Sequence, residues 1–185
     1  MSGAIAQRAR YRVRQFFNAI RAGLTPLSDA QIGEVHAVLP AEAWRLFRAM
    51  PRQDQRHGLE VLHALQADGV VPPPLGQAAL LHDCAKHRGG IRLWHRVAVV
   101  LIKAFDPGGV DRWRDMAAPA PHNWRYPFWA HVHHAENGAR LAAEAGCDPL
   151  AVTLIGRHGD APASGALDPQ TGRLLARLRA ADDDN

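Results

Sequence analysis

Apolar residues recur through most of the chain at spacings of three and four, which is the period of an amphipathic α-helix. Prolines and glycines, which favour the ends of helices, divide this pattern into separate segments. Helices are predicted at residues 28–39, 40–50, 51–68, 72–90, 91–105, 129–145, 148–157 and 169–182. Because no segment shows the strict alternation that is typical of a strand, we predict an all-α fold.

Local signals at the helix ends support this division. Ser28 and Gln31 form the pattern of a capping box, and Gly69 is well placed to end the helix that begins at Pro51. Two short helices thus precede the longer ones. We predict a helical N-terminal extension over residues 1–50 and a main domain over residues 51–185, a size that can bury a core of its own.

Two segments have more than one interpretation. Residues 4–22 carry five arginines among apolar and aromatic residues. This predicted helix could lie on an acidic membrane or nucleic acid, but we favour packing of its aromatic side chains on the domain. Residues 106–129 combine prolines, glycines and tryptophans and are predicted to form a long connection. Such a connection is either a lid over a binding site or a packed surface loop.

The composition excludes several classes of protein. Hydrophobic residues make up 47% of the chain and charged residues 22%, which favours a folded globular chain over a disordered one. Cys84 and Cys147 lie in neither a CxxC motif nor a metal-ligand spacing, so no disulfide framework is expected. The longest apolar run, residues 97–102, is too short to span a bilayer, and residues 1–24 lack a signal-peptide pattern. We therefore predict a cytoplasmic protein.

The strongest chemical signal is the pair His82-Asp83. Within the predicted helix, Ala78, His82 and Lys86 recur at helical spacing, so the imidazole, the carboxylate and the ammonium project from one face. A buried aspartate beside a buried histidine requires a compensating charge, which a divalent cation can supply. The dipeptide alone is close to a chance occurrence, so the other histidines decide whether it has a function.

Four further side chains are predicted to face the core from their helices. They are His57, His134, His158 and Asp182, with Asp183 as the alternative to Asp182, whereas His63 is assigned to the surface. Imidazoles and carboxylates without thiolates suit manganese, iron, zinc, cobalt or nickel. The set can hold one or two such ions. With Asp83 as a bridge between two ions, one site would be completed by His57, His82 and Asp182 and the other by His134 and His158.

Taken in order, these residues resemble the pattern of the HD-domain phosphohydrolases. The matching segments are Arg56-His57-Gly58, Leu80-Leu81-His82-Asp83-Cys84-Ala85-Lys86, His134-Ala135-Glu136-Asn137-Gly138-Ala139, Ile155-Gly156-Arg157-His158 and Ala180-Ala181-Asp182-Asp183. They cover residues 51–183 of the chain. The resemblance implies a helical bundle in which one metal ion is bound by His57, His82, Asp83 and Asp182 and a second by His134 and His158. It also implies that Lys86 approaches a substrate phosphate.

Two features separate the chain from the members of that family that hydrolyse cyclic dinucleotides. His158 is followed by Gly159 and Asp160 instead of a second histidine, and the chain has no glycine-tyrosine-proline signature. The spacing of the later motifs is closer to that of small bacterial members that cleave dinucleoside polyphosphates.

We therefore predict hydrolysis of a phosphate monoester or phosphoanhydride by a metal-activated water, with a nucleotide as the expected substrate class. Asp83 and Lys86 are the predicted catalytic residues, and Lys86, Arg88 and Arg125 are the predicted substrate-binding residues. Nucleic acid is not an expected partner. Two alternatives stay open, namely a di-iron oxygenase of the same superfamily and a non-catalytic module that senses nucleotides.

Overall fold

The structure, a computed structural model, describes residues 26–86, 116–120, 122–159 and 167–184. These ranges contain eight α-helices and no β-strand: α1 (Asp29–Val38), α2 (Ala41–Arg48), α3 (Arg52–Asp68), α4 (Pro73–Leu81), α5 (Tyr126–Val132), α6 (His134–Glu144), α7 (Pro149–Arg157) and α8 (Pro169–Asp183). The predicted all-α class is thus confirmed for the described part of the chain. None of these helices is long and apolar enough to cross a membrane. The basic segment at 4–22 and the helix predicted at 91–105 lie outside the described residues.

Side-chain caps fix the first turns of several helices. At α1 the Ser28 hydroxyl accepts a hydrogen bond from the Gln31 backbone N–H at 3.3 Å, and the Gln31 side-chain oxygen accepts one from the Ser28 N–H at 3.0 Å. This is the capping box that the sequence predicted, and it satisfies N–H groups that have no partner within the helix. The carboxylates of Asp148 and Asp168 cap α7 and α8 by accepting from backbone N–H groups of the first turn.

The sequence predicted one helix through residue 90, but α4 ends at Leu81. In the turns that follow, the Cys84 N–H donates to Leu81 O and the Lys86 N–H donates to Asp83 O, each at 3.0 Å. These bonds reach back three residues instead of four, so the chain tightens and the prediction of a continuous helix is wrong here. Cys84 and Ala85 are buried and continue the apolar pattern, which is why the pattern did not reveal the helix end.

A second difference concerns the single helix predicted at residues 129–145. The structure has two helices there, because α5 begins earlier, at Tyr126, and α6 begins at His134. His133 lies between them with φ −96° and ψ 12°, outside the α-helical region. Its Nδ1 lies 3.1 Å from Glu136 Oε2 in the first turn of α6, a contact that stabilises the break.

Seven of the eight described helices, all except α5, contribute buried residues to one hydrophobic core. α7 packs against α6, α4 and α8, and α4 also packs against α3. Leu80, Ile155 and Leu178 are fully buried in this core, one from each of α4, α7 and α8. Val35 of α1 and Phe47 of α2 belong to the same cluster, so the described part of the predicted N-terminal extension packs on the helices that follow it.

α3 and α4 approach each other closely at Gly58, the residue after His57. A Cβ at Gly58 would lie 2.9 Å from Leu80 O and 3.2 Å from Ala79 O, both backbone atoms of α4. Glycine therefore permits a backbone contact that any side chain would prevent. The contact places His57 beside the end of α4, where His82 follows.

We expect Gly58→Ala to lower the free energy of unfolding by about 1–3 kcal/mol, because the new methyl group must displace backbone atoms of α4. Gly172→Ala in α8 is the matched control, since a Cβ at Gly172 has no atom within 4 Å. Alanine favours a helix over glycine by about 1 kcal/mol, so this control should be at least as stable as the wild type. Urea unfolding measures both changes, and equal stability of the two variants would contradict the close contact.

Candidate metal centre

The six predicted ligands come from the end regions of five helices and meet at one end of the bundle. His57 lies in the second turn of α3, His82 and Asp83 follow α4, His134 opens α6, His158 follows α7, and Asp182 lies in the last turn of α8. His82, Asp83 and His158 are buried, and the other three are partly buried. The fold therefore gathers side chains that are up to 125 residues apart in the sequence.

One group of candidate ligand atoms surrounds Asp83 Oδ1. The Nε2 atoms of His134 and His158 are 3.6 and 3.7 Å from this oxygen and 3.1 Å from each other. The distance between the two nitrogens suits neighbouring ligands of one ion, since each bond to a metal would be about 2.1 Å long. Asp83, His134 and His158 thus form a group that could hold a metal ion.

A second group includes Asp83 and the histidines of α3 and α4. His82 Nε2 lies 3.7 Å from Asp83 Oδ2 and 3.4 Å from Asp182 Oδ1. His57 Nε2 lies 2.8 Å from the same oxygen of Asp182. The ligand atoms of His57, His82 and Asp83 lie within 4.8 Å of one another, so this group could also hold an ion. Asp83 belongs to both groups, as the hypothesis of a bridging carboxylate requires.

Backbone carbonyls fix the orientation of three of the rings. The Nδ1 atoms of His82, His134 and His158 lie 3.0, 2.6 and 2.7 Å from the carbonyl oxygens of Ala79, His131 and Ile155. Each neutral ring therefore donates its hydrogen from Nδ1 and keeps a lone pair on Nε2, the atom near Asp83. Partners of this kind orient the histidine ligands of metal sites.

The cluster contains polar atoms that no described residue satisfies. His82 Nε2 and Asp83 Oδ1 are buried without a hydrogen-bond partner in the described ranges. When Nδ1 carries the hydrogen in both rings, the Nε2 lone pairs of His134 and His158 meet across 3.1 Å, which is unfavourable without a cation. Imidazoles and carboxylates without thiolates suit manganese, iron, zinc, cobalt or nickel. The residues present therefore fit a divalent transition metal.

The charge of Asp83 is balanced within the protein by Lys86. The Lys86 ammonium donates to Asp83 Oδ2 at 2.5 Å. Burial raises the pKa of the Asp83 carboxyl, but the Lys86 ammonium and then the His82 ring outweigh burial and hold this pKa well below its usual range. Asp83 is thus an anion at neutral pH and can accept a cation.

Two of the imidazoles differ in their charge. Burial lowers the pKa of His82, but the carboxylates of Asp83 and Asp182 outweigh burial and raise the pKa above its ordinary value. Burial, followed by the Lys86 ammonium, lowers the pKa of His134 to about 3. His134 is therefore neutral and available as a ligand at neutral pH. His82 carries, below its raised pKa, a proton that a metal ion must displace.

Two other candidates, Asp183 and His63, do not reach the cluster. Asp183 is exposed, whereas Asp182 is partly buried and contacts His57, so Asp182 is the one that reaches the cluster. His63 is on the surface, as predicted, and its Nε2 lies 2.9 Å from Glu34 Oε2.

Of the three predicted substrate-binding residues, one lies at the cluster. This residue is Lys86, whose ammonium binds the carboxylate of Asp83. Arg125 precedes α5, and its guanidinium carbon lies 5.2 Å from the centre of the Trp124 ring. Arg88 lies outside the described residues. The roles of Arg88 and Arg125 stay predictions.

Arg179 of α8 was not singled out from the sequence. Its guanidinium donates to the backbone oxygens of Arg157 and His158 at 2.6 and 3.0 Å. The one available signal was its place three residues before Asp182, which puts both on one helix face. Because its acceptors are backbone atoms, no pattern of residue types could predict the contact.

Comparisons with known proteins do not assign a function to this site. No family model matches the chain, and neither curated proteins nor solved structures give a significant match. The resemblance to HD-domain phosphohydrolases therefore stays a prediction. What the structure adds is a buried cluster of histidines and aspartates that could hold metal ions.

We expect Mn²⁺ to raise the melting temperature more at about pH 8 than at about pH 6, because the ion must displace the proton of His82. The raised pKa of His82 has the opposite effect in the metal-free protein. There its stabilising contribution is complete below the unfolded pKa of about 6.5 and is lost as the pH rises through the folded pKa.

Thermal unfolding with Mn²⁺ and with a chelator measures both trends. His63→Ala serves as a control because it removes an exposed histidine of α3 that lies outside the cluster. With Mn²⁺ and with the chelator, this variant should show the same dependence on pH as the wild type. A metal-induced shift that does not change with pH would contradict the displacement of a proton from His82.

Proposed function

We propose that this chain is a metal-dependent phosphohydrolase that cleaves a phosphate monoester or phosphoanhydride, with a nucleotide as the expected substrate class. One observation carries the proposal. The buried carboxylate of Asp83 lies between two groups of imidazole nitrogens and also binds the ammonium of Lys86. Two ions that shared this carboxylate would lie close enough to stabilise both the attacking and the leaving oxygen of a phosphate ester, and the ammonium beside them could bind the phosphate.

The residues that would hold the ions follow from the two groups. Asp83 would be shared, one ion being completed by His57, His82 and Asp182 and the other by His134 and His158. When bound, divalent ions supply Lewis acidity and lower the pKa of a coordinated water. The carbonyls behind the Nδ1 atoms keep the rings in place, so the ligands need little rearrangement.

The exposure of the side chains indicates from which side a substrate would enter. His82, Asp83 and His158 have side chains that are 1%, 6% and 5% exposed and form the floor of the cluster. Lys86 and Asp182 are 25% and 30% exposed among the described residues. A phosphate group would therefore approach from the side of Lys86, whose ammonium attracts it, while the buried side chains keep solvent away from the bridging carboxylate.

Lys86 would have two roles in this scheme. Without metal its ammonium neutralises Asp83 at 2.5 Å. Once Asp83 is neutralised by cations, the ammonium is no longer needed there and can donate to a phosphate oxygen. A lysine suits this exchange because it is a compact point charge on a flexible stem. Lys86 thus stabilises the negative charge of the phosphate during cleavage.

Phosphate release from nucleotides and from p-nitrophenyl phosphate in the presence of Mn²⁺ or Co²⁺ tests the proposed activity. We expect Asp83→Ala to lose bound metal and activity together, because both groups share this carboxylate. Asp183→Ala is the matched control, since it removes an exposed carboxylate beside Asp182 and should retain both.

Three outcomes would contradict the proposal. Full phosphatase activity of Asp83→Ala would exclude the cluster as the active site. Consumption of dioxygen without phosphate release would support the oxygenase instead. Nucleotide binding without turnover, with metal bound, would support a sensing module.

We expect Lys86→Ala to keep its metal content but to lower kcat/KM by about 10²-fold, because it removes a cation that stabilises the charge of the phosphate. Lys86→Arg should recover part of the loss, since it keeps the charge. Steady-state kinetics and metal analysis of the same samples separate the two effects. Loss of metal in Lys86→Ala, or unchanged kinetics, would contradict the proposed role.

A further inference from the structure

The guanidinium of Arg179 joins α8 to the end of α7. Its Nε donates to His158 O at 3.0 Å and its Nη2 donates to Arg157 O at 2.6 Å. Carbonyls at the end of a helix have no N–H partner within the helix and carry a partial negative charge. A guanidinium, with its fork of donors, matches two neighbouring carbonyls of this kind.

Arg179 and Asp182 lie three residues apart on α8, so they share one face of the helix. Asp182 contacts His57 and His82 directly. Arg179 holds the backbone of His158. The helix α8 therefore supplies the Asp182 side chain to the group that contains His57 and His82. Through Arg179 it also holds the backbone of His158, which belongs to the other group.

We propose that Arg179 is a positioning residue that holds His158 beside Asp83 and thereby forms the metal position of Asp83, His134 and His158. The His158 ring is held by Ile155 O at 2.7 Å, inside the same last turn of α7 that Arg179 fastens from outside. In the structure, His158 Nε2 lies 3.7 Å from Asp83 Oδ1. Loss of the guanidinium would release this turn and let the ring move away from that oxygen. The inference rests on the metal-binding part of the proposed function.

Arg177 makes it possible to separate positioning from plain stabilisation. It belongs to the same helix and fastens the end of α3, donating to Asp68 Oδ2 at 3.0 Å, Val70 O at 3.0 Å and Leu65 O at 3.3 Å. This end of α3 is far from the cluster, because Leu65 follows His57 by eight residues, about 12 Å along a helix. The two arginines thus fasten helix ends in the same manner, but only Arg179 does so at a candidate ligand.

Equilibrium dialysis against Mn²⁺, followed by metal analysis, compares Arg179→Gln with Arg177→Gln. We expect Arg179→Gln to bind the ion at His57 and His82 as the wild type does, and the ion at His134 and His158 about 10–100-fold more weakly. Arg177→Gln should bind both ions as the wild type does, although it too is destabilised. Arg179→Lys, which keeps the charge, should lose less affinity than Arg179→Gln, and it takes the place of the glutamine variant in this comparison if that variant does not fold.

The nitrogen chemical shifts of the His158 ring in metal-free protein give a second readout. We expect the wild type and Arg177→Gln to have the hydrogen on Nδ1, and both Arg179 variants to show a mixture of tautomers. Arg179 variants that match Arg177→Gln in both measurements would overturn the proposal. If the wild type binds no Mn²⁺, the proposed function fails, while the ring shifts still decide whether Arg179 positions His158.

Discussion

The buried charge of Asp83 is the constraint on which this end of the molecule depends. The residue is 4% exposed within a helical core, where an unpaired carboxylate would be strongly destabilising. Lys86 offsets the charge from the same turn, and His134 and His158 approach its other oxygen from α6 and α7. The ends of three helices, α4, α6 and α7, must therefore keep their relative positions around one carboxylate, so the packing between these helices also determines the geometry of the site.

The ends of helices supply much of what this arrangement needs. The carbonyls that hold the rings of His82, His134 and His158 belong to the last turns of α4, α5 and α7, where intrahelical donors run out. One hydrogen bond thus satisfies a helix end and selects the tautomer of a candidate ligand. The close contact at Gly58 holds α3 beside α4. The guanidinium of Arg179 joins α8 to the end of α7.

The sequence predicted what depends on the periodicity of side chains and missed what depends on the backbone. The helical class and the inward position of His57 and Asp182 follow from spacing, and the structure brings both residues to the cluster. The end of α4 was missed because Cys84 and Ala85 are buried and continue the apolar pattern. The role of Arg179 was missed because its partners are carbonyl oxygens, which every residue carries. The chemistry stays a proposal, supported by the place of Asp83 between two groups of imidazoles and by the resemblance of the motifs.

Anomalous diffraction from crystals of the Mn²⁺-loaded protein shows whether Asp83 bridges two ions. We expect two peaks that share Asp83, one at bonding distance from His134 and His158 and the other at bonding distance from His57 and His82, with bonds of about 2.2 Å. A single peak at Asp83 would reduce the centre to one ion. The absence of a peak at Asp83 in protein that binds Mn²⁺ elsewhere would exclude the cluster as the metal centre.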